Sequence, residues 1–207
     1  NSPNALAGNN STKLDTASAE YLSNNTSLVD DVCEDDVAVL TQIRTLVNML
    51  PSNNQVDASI DCTDDLNRAS ASLAACAGDA SMALTEIADD NVFLEVKEAY
   101  AKEMVTGFIK LNGMTVGAIA NAPKESGEVV LTAKGCEKAA EFVNFCDAFS
   151  IPVLTLTNVN GFCNCQCAEK KLAKALATFT YALSMKSLSL ISTSCSKLLY
   201  RRFTTFT

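Results

Sequence analysis

The sequence has 207 residues, a formal net charge of −8, and neither His nor Trp. The absence of an imidazole excludes Ser–His–Asp catalysis, and the acidic balance disfavours a nucleic-acid partner, because phosphate neutralisation requires clustered Lys and Arg. No uninterrupted apolar run approaches the ~20 residues of a membrane-spanning helix, so we expect a cytoplasmic chain without direct membrane insertion.

The first part of the chain predicts one helix between two loop-like segments. Residues 1–30 are rich in Asn, Ser, Thr and Ala without periodicity, which is typical of a loop. Acidic residues then suit the first turn of a helical pattern over 34–49, which predicts a helix that packs against the core through Val37, Leu40, Ile43 and Val47. Residues 51–80 predict a surface linker, and we place a domain boundary near 80–90.

The second part of the chain predicts a layered α/β order. Two alternating apolar runs flank Asn112-Gly113, which is a strong signal for a β-hairpin over 105–120. A short strand is expected at 128–132, a strand buried in a parallel sheet at 152–157 and a last helix at about 167–184. Between the two strands, one helix face is predicted from Cys136, Ala139, Ala140, Val143, Cys146 and Phe149.

The run Cys163-Asn164-Cys165-Gln166-Cys167 raises the interpretation of a zinc site, because three thiolates can hold that metal. The spacing is Cys-x-Cys-x-Cys rather than Cys-x-x-Cys, and a fourth ligand would have to come from another cysteine. We therefore predict no metal and interpret the run as a loop leading into a helix, with Cys167 packed as a small apolar residue.

Five aspartates are interpreted as solvated loop charge rather than as a cation site: Asp61, Asp64, Asp65, Asp89 and Asp90.

Four stretches of the sequence, taken in order and spacing, carry a resemblance to a known family. They are Leu50-Pro51-Ser52-Asn53-Asn54; Val105-Thr106-Gly107-Phe108 with Leu111-Asn112-Gly113 and Val116-Gly117; Glu137-Lys138-Ala139-Ala140 through Phe145-Cys146-Asp147-Ala148-Phe149; and Ile151-Pro152-Val153-Leu154-Thr155-Leu156. Together they resemble the carboxyltransferase subunits of biotin-dependent acyl-CoA carboxylases and decarboxylases, such as propionyl-CoA carboxylase.

The resemblance implies a ClpP/crotonase-like ββα spiral, here incomplete. In that family two such domains pair across subunits where acyl-CoA and carboxybiotin meet. Residues 1–85 would be the end of the acyl-CoA domain and a linker, residues 86–184 the first half of the biotin domain, and residues 185–207 a tail without a match.

The resemblance also implies site residues. The loop Asn158-Val159-Asn160-Gly161-Phe162 stands where the family has Asp-x-Pro-Gly-Phe beside the biotin ring, which implies Gly161 and Phe162 as catalytic and biotin-binding residues. Asn121, in Asn121-Ala122-Pro123, is implied as a further biotin-binding residue. Asn160 departs from the family's Pro, and the lost fixed φ predicts a looser turn. The alternative is that Asn121, Gly161 and Phe162 form only a turn and a strand cap.

The implied activity is carboxyl transfer between carboxybiotin and an acyl-CoA, with backbone N–H groups stabilising enolates, a mechanism that needs no His. Biotin on a biotin carboxyl carrier protein is the implied cofactor. A biotin carboxylase or decarboxylase membrane subunit and further copies of the chain are the implied partners. Neither glycine-rich turn of the family has a counterpart here, so we expect the chain alone to be inactive and the strand at 152–157 to be uncovered. The alternative is a non-catalytic subunit-interface or assembly piece.

Overall fold

The structure, a computed structural model, describes residues 18–56, 59–65, 67–68, 78–123, 127–184 and 190–194. The helices in these ranges are α1 Ala19–Asn25, α2 Asp36–Met49, α3 Ala80–Ile87, α4 Ala133–Ala148 and α5 Gln166–Ser184. The strands are β1 Phe93–Glu95, β2 Met104–Leu111, β3 Met114–Asn121, β4 Val130–Leu131, β5 Val153–Thr157, β6 Gly161–Phe162 and β7 Leu190–Ser194. The predicted hairpin, short strand, helix, buried strand and last helix are therefore confirmed in that order. Of the helices described, none is both long and apolar enough to cross a membrane.

One mixed sheet has the strand order β1-β2-β3-β5-β7, and β4 pairs separately with β6. Strands β2 and β3 form the predicted antiparallel hairpin, whose turn residues Asn112 and Gly113 have φ values of +54° and +75°. Positive φ at both positions is what a two-residue hairpin turn requires. The Asp89 carboxylate accepts the N–H groups of Asn112 and Gly113 at 3.0 and 2.7 Å. Asp89 thus holds the turn in place and is not simply solvated charge.

Strand β5 lies between β3 and β7 and runs parallel to both. Its first four residues are buried. The expectation of an uncovered strand at 152–157 is wrong, because residues 190–194 of the tail supply a neighbouring strand. The other tail residues, 185–189 and 195–207, lie outside the described part of the chain.

Helices cover both faces of the sheet. Successive strand residues point to opposite faces. Met104 and Phe108 of β2 accordingly belong to the core beneath α4 and the end of α5, whereas Val105 and Ile109 pack with Leu84 of α3. The carboxyl ends of the central parallel strands are thereby held between two packed layers.

The predicted apolar face of α4 is confirmed. Its buried residues include Cys136, Ala139, Ala140, Val143 and Cys146. Gly117 of β3 lies beneath this face, and a Cβ there would come within 2.6 Å of the Cys146 sulfur. Glycine at this position therefore allows α4 to lie directly on the sheet.

Helix α2 confirms the predicted helix but not its predicted packing. Asp35 caps the helix by accepting the Ala38 N–H at 2.7 Å. At the other end, the Thr115 hydroxyl donates to the Met49 carbonyl at 2.6 Å. The residues expected to pack are exposed by 50–71%, and we call them the α2 stripe: Val37, Leu40, Ile43 and Val47. The packing prediction is wrong because only the last turn of α2 reaches the core.

We expect the α2 stripe to make this chain self-associate, because contiguous exposed apolar side chains favour burial against another surface. Changing Leu40 and Ile43 to Gln keeps helix-forming residues while removing apolar contact. Each buried side chain of this kind is worth about 1.5–3 kcal/mol, so association should weaken at least about tenfold. Sedimentation velocity across a concentration series measures this.

The matched control for that experiment changes Thr41 and Asn48 to Gln, because both are exposed on the same helix but lie outside the stripe. The control should associate as the unchanged chain does. A monomeric unchanged chain at tens of micromolar, or equal weakening in the control, would show that the stripe is not the contact surface.

Candidate active site

The carboxyl ends of β3 and β5 bring two asparagines together. Asn121 is the last residue of β3, and Asn158 directly follows the adjacent parallel strand β5. The Asn121 Oδ1 accepts the Asn158 N–H at 3.5 Å, and its Nδ2 donates to the Met104 sulfur at 3.7 Å. The Asn121 side chain is therefore held at the sheet edge where open α/β sheets bind ligands.

A shallow cleft opens at this edge, between the strand ends and the start of α3. Its lining residues are Gly78, Asp79, Ala80, Ala83, Ala120, Asn121, Leu156 and Asn158. Asp79 caps α3 by accepting the Met82 N–H at 2.9 Å. The short side chains of the three lining alanines leave the Asn121 amide accessible from the cleft.

Gly161 and Phe162 form strand β6, which pairs with β4 rather than with the main sheet. The residues on either side of them, Asn160 and Cys163, donate their N–H groups to carbonyls in and beside β4 at 2.8 and 2.9 Å. A Cβ at Gly161 would meet no atom within 4 Å, and Phe162 is 55% exposed. The backbone of this segment is therefore held, while one side of it is open.

The departure at Asn160 adds a backbone hydrogen bond to the turn. Proline has no N–H, whereas the Asn160 N–H donates to the Val129 carbonyl at 2.8 Å. This hydrogen bond ties the turn to the segment before β4. This hydrogen bond is one that proline could not make, and it opposes the loosening expected from the lost fixed φ; the looser turn stays a prediction.

The structure thus places the predicted site residues in one connected region. Asn121 contacts the loop through Asn158, and the same loop continues into Gly161 and Phe162. Sequence reasoning treated Asn158 only as a departure from the family's Asp. Its backbone N–H, and not its side chain, makes the contact with Asn121, so the loss of the carboxylate leaves this contact intact.

A buried lysine that sequence reasoning did not single out supports the entrance to the hairpin. Lys138 of α4 has no exposed surface, and its Nζ donates to the carbonyls of Lys97 and Tyr100 at 2.7 and 2.9 Å. Burial lowers the pKa of Lys138 to about 8. The negative charges of Glu95 and Glu103 raise this pKa and so offset part of the effect of burial. One feature of the sequence could have indicated this burial: Lys138 adjoins the apolar pair Ala139-Ala140 on the predicted core face of a helix.

Glu103 links this entrance to the exit of the hairpin. Its carboxylate accepts a hydrogen bond from the Thr132 hydroxyl, and its carbonyl accepts the Ala122 N–H at 3.0 Å. Thr132 in turn caps α4 by accepting the Gly135 N–H at 2.9 Å. Ala122, the residue after Asn121, is therefore hydrogen-bonded to the hairpin entrance at Glu103, and Glu103 is in turn bonded to Thr132 at the start of α4.

The chain matches the family described as the carboxyl transferase domain over residues 2–195. The chain belongs to the carboxyl transferase family. This confirms the predicted membership of the biotin-dependent acyl-CoA carboxyltransferases.

Curated members of the carboxyl transferase family match this chain over much of its length. The propionyl-CoA carboxylase beta chain of Roseobacter denitrificans is 39% identical over 150 residues, which is 66% of this chain and 28% of that protein. The methylmalonyl-CoA decarboxylase subunit alpha of Propionigenium modestum is 37% identical, over 63% of this chain and 27% of that protein. The chain thus spans only about a quarter of the length of these relatives.

Solved structures of the carboxyl transferase family confirm the predicted crotonase-like fold. Transcarboxylase 12S, described as a hexamer and solved with hydrolysed methylmalonyl-coenzyme A bound, superposes with a TM-score of 0.82 at 31% identity, covering 92% of this chain and 39% of that one. A single-chain, multi-domain long-chain acyl-CoA carboxylase has a TM-score of 0.69 at 21% identity, covering 84% and 18%. The second comparison supports the fold alone.

Proposed function

We propose that this chain contributes the biotin side of a site that transfers a carboxyl group between carboxybiotin and an acyl-CoA. The observation that carries the proposal is the Gly161-Phe162 segment, whose backbone is held by β4 while one side is open. A ligand ring can approach the Gly161 backbone closely because no Cβ intervenes. The predicted division at residues 85 and 184 is retained as part of this proposal, except that residues 190–194 pair with β5 and so belong with the sheet of residues 86–184.

The residues in this region fit a bicyclic, partly apolar ring with a polar edge. The exposed Phe162 ring offers it a flat apolar surface, and the anchored Asn121 amide lies at the neighbouring strand end. When bound there, biotin supplies the carboxyl group that is transferred. The whole protein would also aim backbone N–H groups at the enolate oxygen of the acyl-CoA, a task that requires no His.

The proposed partners follow from the same assignment. We propose a biotin carboxyl carrier protein, a biotin carboxylase or decarboxylase membrane subunit, further copies of the chain and a cytoplasmic location. The similarity to subunits of propionyl-CoA carboxylase and methylmalonyl-CoA decarboxylase supports the first two kinds of partner. The exposed α2 stripe is the specific observation in favour of the alternative, a piece that acts only in subunit contact.

The test uses these residues within a chain extended to the length of its relatives. Phe162→Ala removes the proposed ring contact, and burying one Phe side chain is worth about 1.5–3 kcal/mol. We expect the KM for the biotinylated carrier to rise by about tenfold or more, while the KM for propionyl-CoA stays unchanged. Steady-state kinetics with each substrate varied in turn measures both constants.

Tyr181→Ala is the matched control, because Tyr181 is an aromatic residue on α5 that is 63% exposed and outside the proposed site. This variant should keep both KM values. An unchanged carrier KM in Phe162→Ala, or an equal increase in Tyr181→Ala, would contradict a biotin-binding role for Phe162 and favour the simple turn.

A further inference from the structure

Two cysteine thiols lie in contact immediately after the candidate biotin loop. The Cys163 thiol donates a hydrogen bond to the Cys165 sulfur, with the two Sγ atoms 3.6 Å apart. Both residues are partly exposed. Sulfur atoms already in contact at a solvent-accessible position need little movement to react with each other.

The Cys165 sulfur lies at the start of helix α5 and contacts a peptide N–H of its first turn. Cys165 precedes the first residue of α5, and its sulfur accepts the Ala168 N–H at 3.3 Å. Its carbonyl also accepts the N–H groups of Ala168 and Glu169 at 2.9 and 3.2 Å, which confirms its position at the helix cap. Peptide N–H groups and the positive end of the helix dipole stabilise negative charge on a cysteine sulfur. Of the two sulfurs, the one of Cys165 therefore has the geometry of the attacking atom.

We propose that Cys163 and Cys165 are a reversible oxidation site, which hydroperoxides convert to an intramolecular disulfide. The Cys165 thiolate attacks one peroxide oxygen, so an S–O bond forms, the O–O bond breaks, and the departing hydroxide takes a proton to become water. The Cys163 sulfur then displaces the hydroxyl group from the Cys165 sulfenic acid, and its own proton leaves in a second water. Two thiols and one hydrogen peroxide thus give one disulfide and two waters.

Oxidation at this pair would alter the structure next to Gly161 and Phe162. A disulfide requires the two sulfurs to close from 3.6 Å to about 2 Å, and bonded sulfur is a poorer acceptor for the Ala168 N–H. The ring closed by a Cys-x-Cys disulfide is small, so a dithiol reductant should reopen it readily. Oxidation would therefore reversibly rearrange the loop and the first turn of α5.

The same chain contains an internal reference for this reactivity. Cys136 and Cys146 have no exposed surface and lie in the core between α4 and the sheet. Burial raises the pKa of Cys136 to about 11, so little thiolate forms there at neutral pH. Selective oxidation of the loop pair should leave both buried thiols reduced.

The test titrates the 207-residue chain with hydrogen peroxide at neutral pH, blocks remaining thiols with N-ethylmaleimide and locates the disulfide by tandem mass spectrometry. We expect a Cys163–Cys165 disulfide that dithiothreitol reverses, while Cys136 and Cys146 stay alkylated. Cys167→Ser should retain this disulfide, whereas Cys163→Ser and Cys165→Ser should slow intramolecular disulfide formation at least about tenfold. Circular dichroism establishes that each variant is folded.

Three results would overturn the proposal. The first is a disulfide located in the unchanged chain at any pair other than Cys163 and Cys165, or none before methionine oxidation begins. The second is a rate in Cys163→Ser or Cys165→Ser close to that of the unchanged chain. The third is oxidation of Cys136 or Cys146 at the same peroxide concentration. Because the first result is read from the unchanged chain, it applies even if a variant fails to fold.

Discussion

The isolated 207-residue chain is expected to transfer no carboxyl groups between a biotinylated carrier protein and propionyl-CoA. The same residues within a chain extended at both ends to the length of the relatives are expected to support transfer. Enolate stabilisation depends on aimed N–H donors, and loss of one such donor typically costs about 10²–10³ in rate. By resemblance, both glycine-rich turns that carry these donors are without a counterpart here, so the combined loss should take turnover below detection.

The measurement is carboxyl transfer from the carboxylated carrier to propionyl-CoA, followed by product chromatography. The propionyl-CoA carboxylase beta chain of Roseobacter denitrificans is a suitable positive control, because it is 39% identical to this chain over the matched residues. Turnover by the short chain above a no-protein blank would contradict the prediction. Inactivity of the extended chain beside an active control would instead count against the proposed function itself.

The second large effect is on the pH dependence of stability. Burial lowers the pKa of Lys138 from 10.5 to about 8, so between these values the unfolded chain holds a proton that the folded chain has released. Stability contributed by this group therefore rises with pH from about 8 to 10.5, by about 3 kcal/mol in total. Burial raises the pKa of Cys136 from 9.0 to about 11, so there the folded chain keeps a proton that the unfolded chain has lost. The stability contributed by the Cys136 thiol therefore falls as the pH rises from about 9 to 11.

Urea unfolding between pH 7.5 and 10 separates the two groups. The unchanged chain should become more stable from pH 8 to 9 and change little from pH 9 to 10, where the two contributions oppose each other. Cys136→Ala should become steadily more stable across the range, by up to about 1.4 kcal/mol per pH unit. Lys138→Met should lose stability above pH 9, in addition to a general loss from leaving the Lys97 and Tyr100 carbonyls without this donor. Identical pH slopes in all three proteins would contradict the linkage.

The amino-acid sequence by itself determined the parts of the fold that depend on nearby residues. The Asn112-Gly113 hairpin turn, the buried face of α4 and the buried strand β5 were all predicted correctly, because turn chemistry and apolar periodicity act over a few residues. Family membership was likewise readable, since it depends on short motifs in a fixed order. Gly161, Phe162 and Asn121 were selected by that resemblance, and their roles remain predictions.

Tertiary structure decided what each local pattern contacts. The α2 stripe has the periodicity of a packed helix, yet only the arrangement of the layers shows that its side chains face solvent. The Asp89 carboxylate meets a turn 23 residues away, and Lys138 meets a carbonyl 41 residues away. The hydrogen bond from the Asn160 N–H to Val129 likewise appears only once β4 and β6 are paired. Periodicity specifies which face of a helix or strand is apolar. It does not specify what that face packs against, or which group a polar side chain contacts, because those partners lie far away in the sequence and meet only on folding.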